Sequence, residues 1–331
     1  MKRRSFLQAA TAIAPAAAAL AFGAPRAFAQ SGSFPSKSVR IVVPVSAGGS
    51  ADKLARVLAQ RLGDTWKQTV VVENLPGASS SIGTSQVVRA PADGYTLLLG
   101  GDQLAVSPAI GTTLPYNAST DLKGITKAVV NPQLLVVRPG LGVKNFGEYV
   151  ALLKQRSQPI TLALPGGNGS LQHLAVEMLN AKLGVKTNNI PYPGGGPATL
   201  DVLGGHIDAM LITLAAATEN VRAGKLVALA VTTQERSKAL PDVPTLQELG
   251  VKDYVVESWQ GLLVPSKTPP AVIEQIHRDT VAVLRDPSIS RQLEDLGFNI
   301  AASTPGEVDA TITRDIDTYR RAAQAAQIKA S

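Results

Sequence analysis

Two glycine-rich loops hold the residues best suited to chemistry. The first, Val45-Ser46-Ala47-Gly48-Gly49-Ser50-Ala51-Asp52, joins a short apolar run to a segment with helical spacing. Gly48-Gly49 permits a tight turn and a close backbone approach, and the positive end of the next helix faces the loop. Such a loop captures an anion with main-chain N–H groups. Asp52 suits either of two roles, steadying its own helix start or touching a ligand. The second loop, Gly166-Gly167-Asn168-Gly169-Ser170-Leu171-Gln172-His173, again lies between a strand and a helix. Ser170 is a natural cap for that helix. Gly48, Gly49, Gly169 and Ser170 are the candidate amide donors, and the two loops are expected to face each other across a cleft. Residues 77–81 and 193–197 read more simply as turns.

Other chemistries find little support. Gly-x-Gly-x-x-Gly, the phosphate-loop signature and Gly-x-Ser-x-Gly are all absent. His173, His206 and His277 are scattered and form no metal-ligand spacing. Ser170 and His173 lie three apart on one helix, the one arrangement a periplasmic serine hydrolase could use. A capping serine is committed to the backbone, so no catalytic residue is expected. The sequence has no cysteine, which removes disulfides, thiolate metal sites and cysteine nucleophiles. No cofactor or metal is expected.

The 331 residues carry a formal charge of +7. Lys2, Arg3, Arg4 and Arg26 fall in the first 29 residues, which hold no acid. Without them 28 basic residues face 25 acidic ones, a net of +3. With no dense basic run and only 4% aromatics, nucleic acid is not an expected partner. The first 29 residues read as a signal peptide: a charged start, an apolar stretch to Phe22 and a small-x-small site ending at Ala29. Arg3-Arg4-Ser5-Phe6-Leu7 looks like a twin-arginine signal, with general secretion as the other route. An exported chain without cysteine points to a bacterial periplasm, with cleavage near Ala29.

Strands and helices alternate along the rest, which predicts an α/β fold with mainly parallel sheets. Apolar runs predict strands at 39–45, 70–73, 95–99, 134–137, 160–164, 189–192, 209–214, 226–232 and 260–265. Helical spacing falls at 52–62, 82–89, 145–155, 170–183, 198–203 and 218–223. The tail is helical at 270–284, 287–296 and 305–324, each opening near a proline. No clean linker divides the chain, which suits two α/β lobes that the chain crosses more than once.

The residues resemble the periplasmic receptors of tripartite tricarboxylate transporters, the Bug-type receptors. The likeness runs from about Ser38 to Ala323. It is carried by Gly48-Gly49-Ser50-Ala51-Asp52, Glu73-Asn74-Leu75-Pro76-Gly77-Ala78, Asp93-Gly94-Tyr95-Thr96-Leu97-Leu98, Gly169-Ser170-Leu171-Gln172-His173, Leu240-Pro241-Asp242-Val243-Pro244 and Ser258-Trp259-Gln260-Gly261. The resemblance implies a two-lobed, type II-like periplasmic-binding fold with two crossing segments and a hinge. One lobe would hold 31–133 with 256–331, and the other 134–255. It also implies a small organic carboxylate gripped between the lobes and delivered by a monomer to membrane subunits of such a transporter. Signalling to a membrane sensor is the alternative partner. Ser46, Ala47, Ser79, Asp102, Asn168, Leu171, Tyr192, Ile212 and Thr213 join the loop glycines and Asp52 as expected ligand contacts. Four departures bear on the ligand. Val45-Ser46-Ala47 stands where aromatic-Pro-Pro is frequent, and Pro165-Gly166 where Ser-Ser is frequent. Ile212 replaces a frequent aspartate, and Asp102 falls among positions that are commonly small. They imply a carboxylate with an apolar or aromatic body.

Overall fold

The computed structural model describes residues 34–325. The expected signal peptide and its cleavage point lie outside them. In chain order the elements are β1 (Val39–Val43), α1 (Ser50–Trp66), β2 (Val70–Asn74), α2 (Ser81–Val88), β3 (Thr96–Gly101), α3 (Gln103–Ala109), α4 (Ala118–Asp121) and β4 (Leu122–Val137). There follow α5 (Phe146–Gln155), β5 (Thr161–Leu164), α6 (Leu171–Leu183), β6 (Asn188–Pro191), α7 (Gly195–Leu203), β7 (Ala209–Thr213), α8 (Leu214–Arg222) and β8 (Val227–Val231). The chain returns through β9 (Glu257–Pro265), α9 (Pro270–Arg285), α10 (Pro287–Leu296), β10 (Asn299–Ile300) and α11 (Pro305–Ala325).

The strands run β2-β1-β3-β9-β4-β7-β5-β6, and β4 is the pivot of the order. Residues 122–132 of β4 pair antiparallel with β9, and residues 133–137 pair with β7. One 16-residue strand therefore belongs to two sheets, and the fold has two α/β lobes. Each sheet is covered on both faces. Val39, Ile41 and Val43 enter one core cluster and Val42 another. In the second sheet Leu135 and Val137 face one cluster, and Leu134 and Val136 the other. Strands buried on both sides read as continuous apolar runs, which is why the sequence displays them so plainly.

Helices form where apolar spacing meets a stop signal. Leu54, Leu58 and Leu62 of α1 are fully buried against the first sheet, and Lys67 ends the helix in the left-handed region at φ 52°. Asp286 caps α10, with Pro287 in its first turn and Gly297 after its last.

Three differences from the sequence expectation matter. The sheets are mixed: β1–β2, β1–β3, β5–β6 and β5–β7 are parallel, whereas every pairing of β4 or β9 is antiparallel. Strand β4 starts twelve residues before the expected 134, and α3 was not expected at all. No described helix is long and apolar enough to cross a membrane.

Candidate functional site

The start of α1 is set by an acid behind it. Gly48 takes φ +85°, a conformation a side chain would strain. Its N–H donates to Asp52 Oδ2 at 3.1 Å, and Arg56 Nε reaches the same oxygen at 3.0 Å. Burial opposes ionisation of Asp52, but Arg56 and the Gly48 N–H outweigh it and hold the carboxyl below the usual carboxylate range. Asp52 thus folds the loop. Gly49, Ser50 and Ala51 are left lining a cavity, at the end of a helix whose first N–H groups have no intrahelical partner.

That cavity lies between the lobes, where β1, β3, β5 and β7 end. Open parallel sheets bind ligands at such carboxyl ends. Its volume is about 70 Å³. The first lobe contributes Leu99, Asp102, Gln103, Ser258 and Gln260 besides the α1 start, and the second contributes Gly166, Gln172, Ile212 and Thr213. Gln260 Nε2 donates to Ser50 Oγ at 2.7 Å, and Thr213 Oγ1 lies 2.9 Å from the same oxygen. Gln172 donates to Gln133 Oε1 at 2.9 Å, and Gln133 donates to Ser258 Oγ at 3.1 Å. The Thr213–Ser50 and Gln172–Gln133 bonds cross the boundary between the lobes.

Among the described residues Asp102 is the one ionisable group on the cavity wall. It is 3% exposed, and its Oδ2 has no hydrogen-bond partner among the described residues. Burial pushes its carboxyl up to about 7, its own backbone N–H offsets this in part, and Asp315 adds to it.

A second hollow of about 220 Å³ shares Val45 and Gly166 with the first. Residues 77–80 line one side, and Gly167, Pro191, Tyr192 and Pro193 the other. Ala78, Ser79 and Ser80 are all left-handed, at φ 45°, 50° and 73°. Three such non-glycine residues in a row are backbone strain held by the surroundings. Ser79 Oγ donates to the Asn168 carbonyl of the other lobe at 3.2 Å. Tyr192 donates to Asp201 at 2.5 Å; burial and that carboxylate push its hydroxyl up to about 12.

The lobes also touch directly. Ser46 N–H donates to the Pro193 carbonyl at 3.2 Å. A Cβ built on Gly196 would lie 2.0 Å from the Ala47 carbonyl oxygen. Lys53 pairs with Glu219 at 2.6 Å. This is a closed arrangement, with the first glycine loop opposed by residues 193–196.

A sequence model of the tripartite tricarboxylate transporter family receptor matches residues 54–325. The chain belongs to that receptor family. It is 34% identical over 288 residues to Protein BugT of Bordetella pertussis, covering 86% of this chain and 88% of that one. The structure of R. palustris Rpa4515 with adipate superposes with a TM-score of 0.86 at 29% identity, over 89% of this chain and 99% of that one. MatC from Rhodopseudomonas palustris with bound malate gives 0.81 at 26% identity, over 87% and 99%. The chain is thus a solute-binding receptor with the fold of periplasmic binding proteins.

Within this receptor the expected contacts divide into groups. Gly49, Asp102, Ile212 and Thr213 line the 70 Å³ cavity. Ser79 and Tyr192 line the second hollow. Ser46, Ala47, Gly48 and Asn168 make the contacts between lobes. Four expectations need correction. Asp52 is engaged by Gly48 and Arg56 behind the loop. Gly169 donates its N–H to His173 Nδ1 at 3.1 Å, and Ser170 donates its own to the Gly167 carbonyl at 3.3 Å. Both amides are consumed inside their loop, so neither stands free as an anion donor. Burial holds His173 below its ordinary value, which keeps Nδ1 an acceptor. Ser170 Oγ accepts from the His173 N–H at 3.2 Å, a cap with no contact to the imidazole. Leu171 is 2% exposed in the core of the second lobe. Gly166 and Gln172 of the second glycine loop line the cavity opposite Gly49, Ser50 and Ala51, and residues 193–196, read as a turn, add the direct contact with the first loop. Ser50, Gln103, Gln172, Ser258 and Gln260 were missed. Ser258 and Gln260 carried a signal, two polar residues on one face of an apolar strand.

Proposed function

We propose that this receptor is exported to the periplasm, closes its lobes on a small organic carboxylate and hands it to the membrane subunits of a tripartite tricarboxylate-type transporter. The observation that carries the reading is the cavity at the positive end of α1. Gly49, Ser50 and Ala51 line it, Ser50 and Thr213 bring hydroxyls, and among the described residues no lysine or arginine lines the wall. A carboxylate would be held by aligned dipoles in a site of low dielectric, where they act strongly. Pro44, Val45, Leu99 and Ile212 supply apolar wall for the ligand body. The adipate and malate bound by the two similar proteins support the ligand class.

The lobes would be 31–133 with 256–331, and 134–255. The change of partner within β4 at Pro132 and Gln133, and the return into β9 at Glu257, support these bounds. A ligand drives closure only as far as it binds the closed form better than the open one. Mass spectrometry of material co-purified from the native periplasm identifies the ligand. Thermal-shift screening of carboxylates then checks it. A ligand at 100 times its dissociation constant should add ~2.7 kcal/mol, roughly 5 °C for a chain of this size. If no carboxylate co-purifies and none raises the melting temperature, the reading fails.

A further inference from the structure

The cavity between the lobes has a counterpart on the far side of the crossing segment. A hollow of about 350 Å³, against about 70 Å³ at the front, lies between α6 of the second lobe and α11 of the first. Leu174 and Met178 line one wall, Thr318 and Ala322 the other, and Val255 and Trp259 of the crossing segment complete it. Side chains alternate across a strand, and those of β9 divide between the two spaces. Gln260 donates to Ser50 of α1 at the front, whereas Trp259 Nε1 donates to Asp315 of α11 at 3.2 Å on the other face. Ser258 lines both spaces. The other crossing runs alongside, with Asn131 in register with Ser258 and Pro132 with Glu257. The two sides are tied differently. At the front the lobes are bonded through Ser46 and Pro193, Ser50 and Thr213, and Lys53 and Glu219. At the rear, among the described residues, no hydrogen bond or ion pair joins α6 to α11. Val255 is apolar yet 42% exposed there. Charge does not hold the walls apart, since Arg314 pairs with Asp315 at 3.0 Å and Lys127 attracts Glu257.

We propose that the rear hollow is a counter-cleft: it shuts as the front opens, and by burying its own apolar walls it holds the ligand-free receptor open. The proposal rests on the two-lobe reading, with crossings at 131–133 and 256–258. Each lobe is a close-packed body that moves as a unit. The crossings run between a space at the front and a space at the rear, and both lobes wall both spaces. A rotation about the crossings that parts α1 from residues 193–196 therefore carries α6 towards α11. Met178, Tyr319 and Ala322 are half-buried in the closed form, and Val255 is exposed. All four lose contact with water as the rear shuts, which offsets the front contacts that opening breaks. Closing the front wets them again. A ligand must supply that difference, so the empty receptor does not close unprompted.

The test is the distance between two spin labels across the front, read by pulsed electron paramagnetic resonance on the whole chain, stripped of ligand in denaturant and refolded. Ile82→Cys on α2 and Leu200→Cys on α7 carry the labels. Both positions are exposed, and the sequence has no cysteine of its own to compete. The labelled parent should show an open population at the longer distance. Ala322→Trp sets a wedge between α11 and α6 and should cut the ratio of open to closed by roughly ten-fold or more. Arg321→Trp, next along α11 but outside the hollow, should leave the ratio unchanged. Val255→Ser removes apolar surface at an exposed position and should lower it about three-fold. Melting curves confirm that each variant is folded, and if the wedge prevents folding, Val255→Ser decides. The proposal is overturned if the parent is wholly closed, if folded Ala322→Trp keeps the parent's open share, or if Val255→Ser does. No carboxylate enters the measurement, so the carboxylate reading stands or falls separately.

Discussion

Asp102→Asn should stabilise the ligand-free receptor, and by an amount that depends on pH in a definite direction. Burial raises the Asp102 carboxyl from an ordinary 3.8 to about 7. The folded state therefore holds the proton more tightly than the unfolded chain does. Near pH 4 both states are largely protonated and the acid has little effect. As pH rises the unfolded chain ionises first, and the folded state loses ground until pH passes 7. At ~1.4 kcal/mol per unit the full effect is about 4 kcal/mol at pH 8. Relaxation around the new charge lowers it towards ~2 kcal/mol. Asparagine carries no charge at any pH, so the variant escapes the effect. At roughly 2 °C per kcal/mol for a chain of this length, it should melt about 4–8 °C above the wild type at pH 8 and within a degree or two of it at pH 4. The assay is thermal unfolding followed by circular dichroism, on protein stripped of ligand in denaturant and refolded. A variant that melts at or below the wild type at pH 8, or gains equally at both pH values, would refute the account of Asp102 as an uncompensated buried acid.

Gly196→Ala should separate folding from closure. The new methyl would sit 2.0 Å from the Ala47 carbonyl, a main-chain atom of the other lobe that cannot swing aside. Small-angle scattering should show an expanded receptor, and calorimetry a loss of affinity of ten-fold or more, with the melting temperature of the ligand-free protein little changed; full affinity would show that residues 193–196 do not form the closing contact. Asp52→Asn should act on stability. The native carboxyl titrates below its ordinary range, so its contribution is present at neutral pH and fades as pH falls through the acid range. Losing the charge that strengthens its bonds from Gly48 and Arg56 should remove about 1–2 kcal/mol at pH 7 and flatten the acid side of the stability curve, read from urea titrations at pH 3 to 7.

What could be read from the sequence was what local burial dictates. Leu54, Leu58 and Leu62 recur at helical spacing because one face of α1 packs on one sheet. Strand β4 escaped because Lys123, Gly124, Lys127 and Pro132 interrupt its apolar pattern. Its order comes from pairing with β9, more than a hundred residues later, with two register shifts. Helix α3 escaped because Pro108 sits inside it. At the site, Gly48-Gly49 before a helix was legible as a tight loop that opens a helix end onto a cavity. The partner of that loop was not, since nothing in Pro193-Gly194-Gly195-Gly196-Pro197 says which distant segment it will meet. Ser50, Gln172 and Gln260 are single polar residues without spacing, and only the fold gathers them.

The closing contact depends little on the side chains of Val45-Ser46-Ala47. The lobes meet through backbone: Ser46 N–H on the Pro193 carbonyl, Gly48 against Gly196, Gly49 against Gly195. Backbone contacts survive changes of side chain, so the geometry of closure is separable from the side chains of Asp102, Ile212, Thr213 and Gln260 on the cavity wall. Residue 46 is the exception. A proline there has no N–H and could not make the bond to Pro193. Serine adds one hydrogen bond that exists only when the lobes are together, a net gain of about 0.5–1.5 kcal/mol. That shifts the open–closed balance roughly two- to twelve-fold towards closure, before any ligand contact is counted. A residue with an N–H at position 46 therefore strengthens the grip of the closed form through the main chain.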